Sequence, residues 1–152
     1  MTDMVLRELV CVNIPMHPSG KGRARSSRKS GTHYTPQETR TKETYMMMMS
    51  AEHMERNSIE IAKGPVILSV DILMSLPQTL SKEQRRLLSL NMLYPLRKPD
   101  IDNVIKSVMD SLNGIAWLDD KQVVSQTTNK IYTDGRPMIT IRASEIIEGD
   151  QD

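Results

Sequence analysis

Apolar and polar residues alternate through GPVILSVDILMS: Val66, Leu68, Val70, Ile72 and Met74 fall on one side, and Ile67, Ser69, Asp71 and Leu73 on the other. A period of two is that of a strand, and apolar residues on both sides suit a central place in a sheet. Leu9 to Pro15, LVCVNIP, is rich in β-branched residues, is closed by proline and predicts an earlier strand. Two further strands flank TDGR, where Asp134 and Gly135 signal a hairpin turn, and MITIRAS supplies the last of them.

Helical spacing appears three times between these runs. TPQE places Thr35 as an N-cap, Pro36 at the first helical position and Glu38 in a capping box; the helix it opens is expected to reach Gly64, with a break near Asn57 and Ser58. Ser81 and Gln84 form a second capping box ahead of a short helix over KEQRRLLSL. In the third, Val104, Ile105, Val108, Met109 and Leu112 cover one arc while Asp102, Lys106 and Asp110 follow at i, i+4, i+8 on another, and Asn113-Gly114 stops the helix in a left-handed cap. Strands, helices and a terminal hairpin, without regular βαβ alternation, predict an α/β fold of the α+β type. The expectation is one small domain over residues 1–144, a mixed β-sheet flanked by helices, followed by a frayed acidic tail over 145–152.

Composition narrows the chemistry. With 152 residues the chain is long enough for a core without disulfides, and it has one cysteine and three histidines. A zinc site of Cys/His type is therefore not expected, and any metal would be held by oxygen, which favours magnesium (Mg2+) or manganese (Mn2+). No apolar run approaches a membrane span and the N-terminus lacks a signal-peptide pattern, so an intracellular, cytoplasmic setting is expected. Net charge is only +1, but residues 16–33 gather Lys21, Arg23, Arg25, Arg28 and Lys29 with no acid among them. A long polar loop of this kind is suited to phosphate contacts that do not read bases, although a solvated surface is the commoner fate of such clusters.

The chemistry concentrates around KPDIDN, residues 98–103. A helix cap needs one side-chain oxygen, which Asp102 or Asn103 alone would supply, so the second acid is surplus to folding. Two neighbouring carboxylates raise the pKa of one of them unless a cation intervenes. WLDD offers Asp119 and Asp120 just after the same helix as a source of a third carboxylate, and Lys106 lies one turn in from Asp102. Such a set suits two-metal phosphoryl chemistry, with the lysine gripping a phosphate. Each piece has a plainer reading: cap and turn for D-x-D, turn residues for DD, and a solvated i, i+4 pair for Asp102 and Lys106. Taken jointly they are more specific.

PDIDNVIKSVMDSLNGIAWLDDKQVV, Pro99 to Val124, together with KGRAR and YTPQET earlier in the chain, resembles the RusA family of Holliday junction resolvases. Many members carry proline after KGR where this chain has Ala24, a change that loosens the loop without removing its charge. The resemblance implies a small mixed α/β fold, a homodimer, and magnesium-dependent cutting of four-way DNA junctions. Carried over by residue, it implies that Asp100, Asp102 and Asp120 bind metal and that Lys106 is the functional lysine, with Asp119 as a neighbouring acid beside that set. Two rival readings are a DNA-binding module whose acids only cap and turn, and another D-x-D phosphoryl-transfer enzyme; the latter lacks a phosphate-cradling glycine loop. Met46 to Met49 occupy adjacent helical positions and cannot all face one core, and Trp117 reads as a packing anchor for the acidic loop.

Overall fold

A computed structural model describes residues 3–18, 25–26, 33–34 and 37–150. Its strands are β1 (Met4–Pro15), β2 (Arg25–Ser26), β3 (His33–Tyr34), β4 (Val66–Ser75), β5 (Val123–Thr133) and β6 (Met138–Glu148), and its helices α1 (Gln37–Arg56), α2 (Lys82–Ser89) and α3 (Ile101–Leu112). Four strands form one mixed sheet in the order β1-β6-β4-β5, and β2 pairs with β3 separately. β6 runs antiparallel to β1 and β4, whereas β4 and β5 are parallel. The chain is a single α+β domain.

The predicted alternation in β4 is realised: Val66, Leu68, Val70, Ile72 and Met74 are buried and the residues between them are half-buried. A strand so enclosed must pair both backbone edges, and it does so with β5 on one side and β6 on the other. That arrangement corrects the expected hairpin. β4 lies between β5 and β6, so residues 134–137 do not turn a hairpin. They carry the chain past the end of β4, across two strand spacings or about 10 Å, well within the reach of four residues. The parallel β4–β5 pair in turn requires a long crossover, and residues 76–122 provide it through α2 and α3.

Two boundaries also differ from expectation. Helix α1 ends at Arg56, and residues up to Gly64 are not helical. Ser58 adopts φ 53°, the left-handed conformation that reverses the chain, and the Ile59 N–H closes back on the Met54 carbonyl at 2.8 Å. The expected cap at Thr35 and Pro36 lies outside the described residues. At the C-terminus, residues 145–148 are not frayed: β1 begins at Met4, and Met4–Arg7 pair with Glu148–Glu145. Glu145 is buried there, its carboxylate accepting from Arg7 and from the backbone N–H groups of Lys63 and Gly64.

The core sits on one face of the sheet beneath α1 and α3, joining Leu9, Val10, Ile14, Met46, Val104, Val108, Leu112 and Trp117 to the inward side of β4. Among the four successive methionines, Met46 is buried, Met49 packs against the core and Met47 and Met48 are exposed, so methionine does fill core volume. Among the described residues no helix is long and apolar enough to cross a membrane.

Candidate functional site

Helix α3 is tied down by its apolar arc. Val104, Ile105, Val108 and Leu112 are buried, and the Ser107 hydroxyl donates to Glu43 at 3.2 Å. The opposite arc is left to solvent at its start. Asp100, rather than Asp102 or Asn103, is the N-cap residue, with φ −74° and ψ 143°, yet its carboxylate makes no capping hydrogen bond. Asp102 is exposed in the first turn, and Lys106 is exposed one turn further on. Among the described residues no ion pair joins Asp102 to Lys106. Among the described residues the fold therefore uses neither carboxylate, which leaves both available for a ligand.

The second acidic element is a single 3-10 turn, Asp120–Gln122, held unusually firmly for a surface loop. Asp119 caps it by accepting the Lys121 N–H at 2.9 Å. The Gln122 side-chain oxygen accepts the N–H groups of Leu118 and Asp119 at 2.8 and 3.0 Å, while its amide donates to the carbonyls of Ala62 and Gly64 at 2.9 and 3.0 Å. Trp117 anchors the turn from below, fully buried and donating from Nε1 to Asn113 Oδ1 at 2.8 Å, as expected of a packing residue. The Lys121 N–H, helped by a hydrogen bond from Asp120, holds the Asp119 carboxyl below the usual range. Asp120 is pushed above it by that shared hydrogen bond, by burial and by the charges of Asp119 and Asp110. The two carboxyls are thus shifted in opposite directions by their closeness, a repulsion that a cation would relieve.

Where these elements lie is decided by the direction of α3. At its start, Lys130 of β5 donates from Nζ to the carbonyls of Arg97 and Pro99 at 2.8 and 3.1 Å, and Arg97 donates to the Ser75 carbonyl at the end of β4. At its far end, the Ala62 N–H, just before β4, donates to the Ala116 carbonyl at 2.9 Å. The helix thus runs antiparallel to β4 and β5. Asp100 and Asp102 sit by the C-terminal ends of these strands, and Asp119 and Asp120 by the start of β5. Eight helical residues separate Asp102 from Asp110, about 12 Å along the axis, and it is Asp110 that acts on Asp120. Among the described residues no three acid, histidine or cysteine side chains gather as metal ligands. The expected convergence of Asp100, Asp102 and Asp120 therefore does not occur within one chain, because the length of α3 stands between them.

Of the basic loop, Lys21, Arg23, Arg28 and Lys29 lie outside the described residues; the Arg25 backbone pairs with Tyr34 in the small β2–β3 sheet. Three residues gain a role that sequence reasoning did not assign. Gln122 fixes the acidic turn, Lys130 fixes the entrance to α3, and Asp110 charges Asp120. Gln122 was discoverable, since D-x-x-Q has the spacing of a capping box; Lys130 carried no local signal.

The family model for endodeoxyribonuclease RusA matches residues 15–143. The chain is also similar to the uncharacterized protein YqaN of Bacillus subtilis (strain 168), with 28% identity over 142 residues, covering 90% of this chain and 97% of that one. The match to the family model extends over most of the chain, which belongs to the RusA endodeoxyribonuclease family.

Proposed function

We propose that this member of the family is a magnesium-dependent endonuclease that resolves four-way DNA junctions by paired nicks, acting as a homodimer. The observation that carries the reading is the placement of two acidic pairs, Asp100 with Asp102 and Asp119 with Asp120, at opposite ends of one buried-face helix, the first pair having no structural use among the described residues. The donors are hard carboxylate oxygens of the kind magnesium takes. One chain does not offer a complete set, since the ligand distance of about 2 Å cannot be met by groups roughly a helix apart. A two-fold dimer in which the start of α3 of each chain meets the acidic turn of the other would offer two complete sets. In each, Asp100 and Asp102 of one chain and Asp120 of the other would hold the ion, whose chemistry is to activate water and stabilise the leaving oxygen of a phosphodiester.

The remaining roles fall to the chain itself. Lys106, exposed on the same arc as Asp102, supplies a positive charge for a phosphate oxygen at the entrance to α3. Gln122 holds Asp119 and Asp120 in place. Lys21, Arg23, Arg25, Arg28 and Lys29 supply sequence-independent phosphate contacts.

The test is complementation. Asp102→Asn and Asp120→Asn chains are each expected to be inactive on a synthetic four-way junction with magnesium. When the two are mixed and allowed to exchange, heterodimers carry one site with both lesions and one with none, so nicking of one strand returns. Activity that stays absent in verified heterodimers refutes the shared site. Junction binding by wild-type protein without cleavage in magnesium or manganese would make the chain a DNA-binding module instead.

A further inference from the structure

We infer that the cavity at the C-terminal end of β4 takes one nucleobase turned out of the stack at a DNA branch point, next to the phosphate that Asp100 and Asp102 address. The cavity measures about 350 Å3 and lies beside the entrance to α3. Met74, Leu76, Pro77 and Pro137 give it apolar walls, and His17, Gln78, Arg97 and Lys98 give it polar ones. Its sides are tied in place: the Met16 N–H donates to the Pro137 carbonyl at 3.3 Å, Arg97 Nη2 to the Ser75 carbonyl at 3.0 Å, and Lys42 Nζ to the His17 carbonyl at 3.1 Å. A cavity already formed in the free chain binds a small rigid group without the cost of ordering its walls.

The lining selects the class of ligand. Apolar walls suit the faces of an aromatic ring, and the exposed Gln78 amide, with two donors and an acceptor, suits the edge of a base. Arg97 and Lys98 are exposed cations for phosphate oxygens. A simple anion has no use for the apolar walls, and an uncharged apolar ligand has none for the cations; a nucleotide uses both. Lys98 stands two residues before Asp100, at most about 7 Å of chain, so a nucleotide seated here adjoins the phosphate at the acids. A base inside a duplex reaches no such cavity, and extruding it costs least where pairing and stacking are already interrupted, as at a branch point. The cavity therefore favours a junction over a duplex, and Gln78 sets which base is accepted. The inference rests on the reading that DNA is cut at Asp100 and Asp102, and it adds what recognises the branch.

The test reads base extrusion without cleavage. The wild-type chain is bound, in EDTA, to synthetic four-way junctions that carry 2-aminopurine at each position around the branch point in turn, and to the matching duplexes. One junction position is expected to brighten severalfold on binding, and no duplex position. Leu76→Trp fills the cavity and is expected to abolish the rise and to lower the preference for junction over duplex about tenfold. Gln78→Ala, an exposed change that leaves the fold intact, is expected to reduce discrimination among bases at the bright position about tenfold in competition binding. No rise in a bound junction, an equal rise in duplex, or an unchanged rise with Leu76→Trp overturns the inference. If Leu76→Trp fails to fold, Gln78→Ala decides, and a base preference equal to that of wild type overturns it. Brightening by a protein that does not cut in magnesium leaves the cavity standing and removes the nuclease reading; cutting without brightening does the reverse, and a chain that binds no junction removes both.

Discussion

Glu145 holds the last strand to the first and to the approach to β4, and Glu145→Gln measures what that clamp contributes. One carboxylate oxygen accepts Arg7 Nε and Nη2 at 3.1 and 2.7 Å; the other accepts the Lys63 and Gly64 N–H groups, both at 2.8 Å. Glutamine keeps the shape but has one oxygen. If it faces the backbone N–H groups, its amide is turned against the Arg7 guanidinium and both of those bonds are broken. Bonds to a charged group contribute about 1.5–3 kcal/mol each, but the Arg7 side chain is 30% exposed and still donates to the Glu60 carbonyl, so water replaces part of the loss. A net cost of about 2–3 kcal/mol remains, or a fall in melting temperature of roughly 5–10 °C for a domain of this size.

Acid separates this clamp from an ordinary packing effect. Burial pushes Glu145 up, but hydrogen bonds from Gly64, Arg7 and Lys63 outweigh it and leave the carboxyl below its usual range. A carboxyl depressed in the folded state contributes stability that is whole above the unfolded pKa and fades as pH falls through the folded one. The difference between wild type and Glu145→Gln in urea melts is therefore expected to be full at pH 7 and to shrink as pH drops below the ordinary carboxylate range. A difference under about 0.5 kcal/mol at pH 7, within the scatter of a neutral surface change, or one that does not narrow on acidification, refutes the reasoning.

Other outcomes follow from the same geometry. Lys106→Ala is expected to lower the single-turnover cleavage rate roughly a hundredfold with little change in melting temperature, since the side chain is exposed; a loss of stability without a loss of rate would make it a surface residue only. Asp119→Asn removes the first cause of the raised pKa at Asp120, so carboxyl NMR titration of metal-free protein should show Asp120 titrating at lower pH than in wild type. Gln122→Ala deletes four hydrogen bonds around the acidic turn and should reduce cleavage more than it reduces stability, measured as rate per folded molecule. Neutralising Arg23 and Arg25 should weaken binding to all junction sequences alike and reduce the salt slope by about one for each phosphate that is no longer neutralised.

What could be read from the chain divides by range. The alternation of β4, the Ser81–Gln84 capping box and the two arcs of α3 are written within a few residues, and each appears as expected. Asn113-Gly114 ends α3, with Gly114 at φ 79°. The supposed hairpin failed because Asp134-Gly135 shows only that the chain bends; which strand takes β6 as neighbour depends on the burial of β4, more than sixty residues earlier. The C-terminal acids looked like a solvated tail because the partners of Glu145 come from residues 7, 63 and 64. The site was legible in its members and not in its assembly. Nearness of WLDD to PDIDN along the chain suggested convergence, whereas eight residues of helix at 1.5 Å each already separate Asp102 from the turn that Asp110 faces.

That separation bears on how a nuclease of this kind is controlled. A metal set complete within one chain would cut wherever that chain touched DNA, and a four-way junction nicked on one strand is damaged, not resolved. On the proposed function, acids divided between the two ends of α3 make competence conditional on a second chain. Both sites then arise, on that same proposal, in one event, because a two-fold axis that brings one turn to one helix entrance brings the other pair together as well. Two incisions are then built into one assembly, related by the same symmetry as the opposed strands of the junction.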